Sequence, residues 1–137
     1  MVTRTESYVD TSALIAFMDE SDTYHLLFKR LFSAPPPLVT SPLVVAEGHG
    51  WFLRRYDRSR AMEFLGLIEQ LKPLRVLSLT ARLQAAATHL VRRFSDQDLT
   101  LADALGLHLM EDREITSCWS TDSHLGLTGV PLVIHQT

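Results

Sequence analysis

The sequence predicts an α/β fold of three layers, in which a mostly parallel central sheet of four to five strands is covered by helices on both faces. The first observation is that short apolar segments typical of buried strands alternate with helical segments along nearly the whole chain. The second is that 137 residues, of which 46% are hydrophobic, suit one globular domain spanning residues 1–137.

In the N-terminal half, each of two short strands leads into two helices. The expected order is strand 8–10, helix 11–18, helix 22–32, strand 37–40, helix 42–55 and helix 57–71. Asp22 or Thr23 can cap the second helix, and Ser41 followed by Pro42 is typical of a helix N-terminus. Pro73 ends the fourth helix because its ring cannot continue the hydrogen-bond pattern.

The C-terminal half repeats this alternation. The expected order is strand 74–79, helix 81–93, helix 100–111, strand 115–121 and a possible short fifth strand at 131–134. Thr80 and Thr100 are the expected N-caps of the two helices. In such sheets, ligands bind beyond the carboxyl ends of the strands, at the point where the strand order reverses. The residues at strand ends are therefore the ones to examine for a site.

Composition excludes several classes of protein. Charged residues make up 21% and the formal net charge is −3, so the chain is neither a disordered tail nor a basic coat protein. Cys118 is the single cysteine, which indicates a reducing compartment, and we expect it to be a buried apolar residue rather than a nucleophile. The sequence shows no signal peptide and no apolar run of membrane-spanning length, so a cytoplasmic protein with no membrane association is expected.

Four acidic residues are expected to converge at the carboxyl-end edge of the sheet. Asp10 ends the first strand, and Asp122 directly follows the fourth. Asp103 lies in the first turn of the helix that precedes the fourth strand, and Glu47 lies in the second turn of the helix that follows the second strand. Because helices leave and approach parallel strands at this edge, both side chains can reach it.

Carboxylates gathered at one place repel each other unless a cation binds between them. A hard divalent ion with oxygen ligands suits such a site, and Mg²⁺ or Mn²⁺ fits. An ion of this kind activates a water molecule and neutralises charge on phosphoryl oxygens. The acidic cluster therefore predicts hydrolysis of phosphodiester bonds.

Each acid also has an ordinary structural interpretation. Asp103 lies three residues after Thr100 and can complete a capping box. Asp10 can cap the helix that follows it, and Asp122 can belong to a turn. Glu47 is the most telling of the four, because it lies in an apolar helical segment where a surface residue is not expected. Their shared position at one edge of the sheet favours the metal site.

Four segments of the chain resemble the motifs of PIN-domain proteins, in particular the VapC-type toxins of bacterial toxin–antitoxin pairs. They are Tyr-Val-Asp-Thr-Ser-Ala-Leu-Ile at 8–15, Thr-Ser-Pro-Leu-Val-Val-Ala-Glu at 40–47, Leu-Thr-Leu-Ala-Asp-Ala-Leu at 99–105 and Ser-Thr-Asp-Ser-His-Leu at 120–125. Their order, spacing and the total length agree with that family, so the resemblance covers essentially the whole chain. The first and third motifs are specific as a pair, and the second is loose.

The resemblance implies a ribonuclease that uses Mg²⁺ or Mn²⁺, forms a homodimer, and is blocked by a small antitoxin protein. The implied catalytic and metal-binding acids are Asp10, Glu47, Asp103 and Asp122. Asp10 and Asp103 would be the firmest ligands, and Asp122 would act less directly, through water. Ser12 and Thr121 match the small hydroxyl residues that support such sites.

The chain departs from the family pattern in two places. Gly48 and Gly50 soften the helix that carries Glu47, and Asp98 lies close enough in sequence to compete with Asp103 as a ligand. Both departures affect the expected metal geometry and neither removes an acid.

Other functions fit the sequence less well. A haloacid-type phosphatase needs an aspartate where Ser12 stands, and a dinucleotide-binding domain needs a glycine fingerprint that the chain lacks. The remaining alternative is a PIN-like module that binds RNA or a partner without catalysis. The arginine cluster at 54–60 can contact phosphate or a partner, or can be a solvated helix end. His124 is expected to be a polar bystander.

Overall fold

The structure, a computed structural model, describes residues 5–136. The first half contains β1 (Ser7–Val9), α1 (Thr11–Met18), α2 (His25–Leu31), β2 (Leu38–Thr40), α3 (Pro42–Arg55) and α4 (Arg58–Gln70). The second half contains β3 (Leu74–Val76), α5 (Ala81–Arg93), α6 (Leu101–Asp112) and β4 (Cys118–Trp119), with short 3₁₀ turns at Ser123–Gly126 and Val133–His135. Among the described residues, no helix combines the length and the apolar character that crossing a bilayer requires.

The four strands form one parallel sheet in the order β3-β2-β1-β4. The predicted three-layer α/β fold is confirmed. The chain adds β2 and β3 on one side of β1 and then places β4 on the other side, so the strand order reverses between β1 and β4. Open α/β sheets form a crevice at such a reversal, beyond the carboxyl ends of the two strands.

The strands are shorter than the sequence suggested. Thr40, the last residue of β2, pairs with Val76, so β3 ends where its neighbour ends. The possible fifth strand at 131–134 is reduced to one parallel bridge between Cys118 and Leu132, after which the chain turns into the 3₁₀ segment Val133–His135.

Alternation along the strands sends side chains into two separate apolar layers. Tyr8 and Cys118 pack in the layer that contains α5 and α6, whereas Val9 and Trp119 pack in the layer that contains α1 to α4. Since successive side chains of a strand point to opposite faces, Asp10 follows Tyr8 to the α6 side of the sheet. Cys118 is fully buried as predicted, and burial raises the pKa of its thiol.

Gly106 allows α6 to approach β1 closely. A Cβ atom at this position would lie 2.9 Å from both Cε2 and Oη of Tyr8, and 3.0 Å from Cδ1 of Leu125. The phenol of Tyr8 is fully buried and has no hydrogen-bond partner among the described residues. The contact between strand and helix is therefore made by close packing.

Side-chain caps fix the starts of most helices. Ser41, Thr80 and Thr100 each accept a backbone N–H from three residues later, which confirms the predicted starts of α3, α5 and α6. The predicted start of α2 is wrong, because Asp22 accepts the N–H of Tyr24 in a turn and the helix begins only at His25.

α6 ends at a residue with left-handed backbone geometry. Glu114 has φ 55°, and the N–H of Ile115 donates to the carbonyl of Met110 at 2.8 Å. This arrangement is a helix C-terminal motif that usually places glycine at the left-handed position. It turns the chain back toward β4, which carries the next part of the site.

Candidate metal centre

Asp10 is held by hydroxyl groups from both sides of the crevice. It is 3% exposed, and its Oδ2 accepts hydrogen bonds from Ser12 Oγ at 2.8 Å and from Ser120 Oγ at 3.0 Å. The backbone N–H of Ser12 lies 3.4 Å from the same oxygen. Among the described residues, no side-chain donor reaches Oδ1, so one carboxylate oxygen is left for another partner.

The two serines also tie the loop after β4 to the end of β1. Ser12 Oγ accepts the N–H of Thr121 at 3.0 Å, and Ser120 Oγ accepts the N–H of Asp122 at 2.9 Å. Each hydroxyl can thus donate to Asp10 while its oxygen accepts a backbone donor, and the two hydroxyl oxygens lie 3.1 Å apart. Thr121 thus contacts this network through its backbone.

Sequence reasoning missed Ser120. The signal for it was its position two residues after Cys118, because that spacing puts its side chain on the same face of the sheet as Tyr8 and Asp10.

Asp103 forms the capping box that the sequence allowed. Its Oδ2 accepts the N–H of Thr100 at 3.2 Å, and Thr100 Oγ1 accepts the N–H of Asp103 at 3.1 Å, which completes a capping box. Yet Asp103 is only 5% exposed. A carboxylate that merely caps a helix would ordinarily face water, so its burial in the crevice needs a further explanation.

Asp122 and His124 complete a compact group with Asp103. Asp122 Oδ1 accepts the backbone N–H of His124 at 3.0 Å, which shapes the 3₁₀ turn that follows β4. His124 Nδ1 lies 3.3 Å from Asp122 Oδ1 and 3.9 Å from Asp103 Oδ2. One possible ligand atom from each of the three residues falls within 4.8 Å of the other two. The expected bystander therefore lies inside the acidic cluster.

The crevice contains more negative charge than its surroundings neutralise. Burial and the charge of Asp103 together raise the pKa of Asp10 to about 6, against the hydrogen bonds from Ser12 and Ser120 that lower it. Burial likewise raises the pKa of Asp103, with a further increase from Asp122. A divalent cation would relieve this repulsion.

Asp10 and the other two acids considered from the sequence lie outside this compact group of three. Glu47 is half-buried on α3, and it makes no hydrogen bond or ion pair with any residue that the structure describes. Leu43, one turn before Glu47 on α3, packs against the apolar layer beside α6. Asp98 is exposed and lies outside the compact group.

The donor set fits a divalent metal ion. Asp10, Asp103 and Asp122 offer carboxylate oxygens, the ligand type preferred by Mg²⁺ and Mn²⁺, and His124 adds an imidazole nitrogen. The buried Asp10 carboxylate supports the fit, because its side-chain hydrogen bonds with the described residues all use Oδ2.

Comparisons with known proteins identify relatives of this chain in sequence and in fold. A curated relative, the 23S rRNA-specific endonuclease VapC20 of Mycobacterium tuberculosis, is 28% identical over 123 residues, which are 89% of this chain and 93% of the relative. The crystal structure of M. tuberculosis VapC20, described as a sarcin-ricin loop cleaving toxin, superposes with a TM-score of 0.83 at 25% identity, covering 91% of this chain and 96% of that one.

Two more distant structures share the fold. A toxin–antitoxin complex from Klebsiella pneumoniae matches with a TM-score of 0.60 at 15% identity over 92% of this chain and 94% of that chain. VapBC2 of Rickettsia felis, bound to a DNA fragment from its promoter, matches with a TM-score of 0.59 at 12% identity over 93% and 97%. The family model for the PIN domain matches residues 7–128, and on that match this chain belongs to the PIN-domain family.

Proposed function

We propose that this protein is an endoribonuclease that hydrolyses RNA phosphodiester bonds with Mg²⁺ or Mn²⁺, and that it is the toxin of a type II toxin–antitoxin pair. One observation carries the proposal. Asp103 and Asp122 lie together beside His124 where the strand order reverses, and Asp10 is near enough for the charge of Asp103 to raise its pKa. Asp10 and Asp103 are almost completely buried. The similarity to VapC20, whose name describes a 23S rRNA-specific endonuclease, gives the same reaction class.

Each proposed ligand is oriented by a different part of the fold. Ser12 and Ser120 fix Asp10 through Oδ2 and leave Oδ1 for the ion. The capping box with Thr100 orients Asp103, and the backbone N–H of His124 orients Asp122. When bound, the ion supplies an activated water molecule and stabilises charge on the phosphoryl oxygens.

Glu47 is proposed as the fourth acid of the site. Its support is the match of 40–47 to the second family motif and its half-buried position on the helix that follows β2. A carboxylate there can bind the ion directly or accept a proton from its water.

RNA must be attracted by local positive groups, since the net charge is −3. Arg60 is already engaged, because it pairs with Glu63 and donates to the carbonyl of Met18 at 3.0 Å. Arg54 and Arg58 are exposed and form no ion pair among the described residues, so they are the better candidates for phosphate contact.

The partners follow from the same similarity. We propose ribosomal RNA as the first substrate to test, because the relative is named for its action on 23S rRNA. We also propose a small antitoxin that covers the site, since toxin–antitoxin assemblies are among the structures that share this fold. A homodimer remains a prediction from the family resemblance.

The decisive experiment compares RNA cleavage by the unaltered protein, Asp10→Asn and Asp98→Asn, with Mg²⁺ or Mn²⁺ and with chelator. Asp10→Asn should remove cleavage, whereas Asp98→Asn should retain it, because Asp98 is exposed and outside the acidic group. Equal cleavage by all three proteins would refute the nuclease. RNA binding without cleavage by the unaltered protein would favour the non-catalytic PIN-like module.

A further inference from the structure

We propose that His124 binds the metal ion directly through Nδ1, beside Asp103 and Asp122, and that this nitrogen makes the site prefer Mn²⁺ to Mg²⁺. The inference rests on the proposed metal-dependent function and adds a ligand of a different chemical type to it. Carboxylate oxygens suit both ions, whereas an imidazole nitrogen is a softer donor that the transition-metal ion Mn²⁺ accepts more readily than the harder Mg²⁺.

The position of His124 is set by the fold on both sides. Its backbone N–H is held by Asp122 Oδ1 at 3.0 Å. The next residue, Leu125, is fully buried and packs against α6 at Gly106. The 3₁₀ turn is thus attached to the helix that carries Asp103, and this attachment places the partly exposed imidazole of His124 beside Asp103 and Asp122.

The distances around Nδ1 fit ligands that share one ion. In an octahedral site with bonds of about 2.1 Å, neighbouring ligand atoms lie about 3 Å apart and opposite ones about 4 Å apart. Nδ1 lies 3.3 Å from Asp122 Oδ1 and 3.9 Å from Asp103 Oδ2, within that interval. A charge-assisted N–H···O bond would be shorter, at about 2.7–2.9 Å.

The hydrogen bonds of Asp103 and Asp122 are compatible with His124 as a metal ligand. Asp122 Oδ1 already accepts one backbone N–H, and Asp103 Oδ2 accepts another from Thr100. Each carboxylate therefore has its orientation fixed without His124. The imidazole is not required to hold either acid in place, so its presence between them calls for a different role.

The direct test is pulsed electron paramagnetic resonance of the Mn²⁺-loaded full chain. The spectrum should contain modulation from one directly bound ¹⁴N nucleus, which should vanish in His124→Gln and persist in His89→Gln, a control at an exposed position on α5. Labelling histidine with ¹⁵N should shift the modulation in the unaltered protein, so the test does not depend on the stability of any variant.

Metal titrations provide the second measurement. His124→Gln should weaken Mn²⁺ binding about tenfold or more, and it should change Mg²⁺ binding, measured by competition, by less than about twofold. Equal losses of affinity for Mn²⁺ and Mg²⁺ in His124→Gln would overturn the proposed preference for Mn²⁺. Mn²⁺ bound with only oxygen ligands would overturn the role of His124 and leave the proposed nuclease intact. Failure of the unaltered protein to bind Mn²⁺ or Mg²⁺ would refute both.

Discussion

The hydroxyl of Ser120, at the end of β4, donates a hydrogen bond to Oδ2 of Asp10, at the end of β1, over 3.0 Å. This contact joins the two strands between which the order of the sheet reverses. It also gives a buried carboxylate a donor that does not consume the oxygen available to a metal ion. The relationship makes Ser120 a positioning residue whose effect can be measured separately from catalysis.

Ser120→Ala should lower the free energy of unfolding by about 1.5–3 kcal/mol, because it removes a donor from a buried charge and an acceptor from the N–H of Asp122. It should also weaken metal binding, since Asp10 loses part of its orientation. Denaturant unfolding and metal titration measure the two effects. Thr121→Ala is the matched control and should change stability by less than about 0.5 kcal/mol, because Thr121 contacts Ser12 through its backbone. Equal effects of both substitutions would contradict this arrangement.

The metal-free protein should lose stability as the pH rises from about 4 to about 6. The native state holds a proton on Asp10 up to about pH 6, whereas the unfolded chain releases it near 3.8, so deprotonation is penalised only in the native state. The full penalty, about 3 kcal/mol, is present above pH 6. Asp10→Asn should remove this part of the pH dependence and be more stable than the unaltered protein at neutral pH.

Denaturant unfolding in chelator across this pH range measures the difference between the two proteins, with Asp98→Asn as the control that should follow the unaltered chain. If the free energies of unfolding of Asp10→Asn and the unaltered protein change equally with pH, then burial does not raise the pKa of Asp10. Added Mg²⁺ or Mn²⁺ should raise the melting temperature of the unaltered protein and have little effect on Asp10→Asn.

Glu47→Gln should reduce RNA cleavage strongly while leaving the free energy of unfolding of the metal-free protein within about 0.5 kcal/mol. The reason is that Glu47 makes no hydrogen bond or ion pair among the described residues. It therefore contributes to catalysis in the metal-bound site and not to the stability of the metal-free protein. Cleavage rates and denaturant midpoints should be measured on the same preparation. Unchanged cleavage would remove Glu47 from the catalytic acids and leave the other three.

Glu114→Gly should stabilise the protein by about 1 kcal/mol, because a residue with a side chain is strained at φ 55° and glycine is not. Glu111→Gly, three residues earlier and within α6, should destabilise by a similar amount, since glycine is a poor helix former. Thermal melting of the two variants measures the opposite signs. A loss of stability in Glu114→Gly would mean that the unfolded-state entropy of glycine outweighs the relieved strain.

The sequence determined the features that depend on periodicity and chain order. The proximity of Asp103 and Asp122, and the electrostatic interaction of Asp103 with Asp10, could be predicted because each acid lies next to a strand end or helix start. Parallel strands share one carboxyl-end edge. His124 and Ser120 could not be assigned, because their roles depend on where β4 ends and on the turn that follows it. A shift of one residue there reverses which face a side chain occupies.

Helix rotation limited the rest of the prediction. The position of Glu47 at the carboxyl-end edge of the sheet stays a prediction. One residue along a helix changes the side-chain direction by about 100°, so the sequence could not give the distance of Glu47 from the other acids. Leu26 shows the same limit on α2: it belongs to an apolar run but is 78% exposed, because consecutive residues cannot all face the core.

Gly106 sets how closely the strand and the helix of the acidic site approach each other. Tyr8 lies two residues before Asp10, and Gly106 lies one turn after Asp103 on α6. A methyl group at position 106 would come within 2.9 Å of the buried Tyr8 side chain, so the ring or the helix would have to shift. The segments that carry the two buried carboxylates are therefore packed at a separation that admits no side chain at this position.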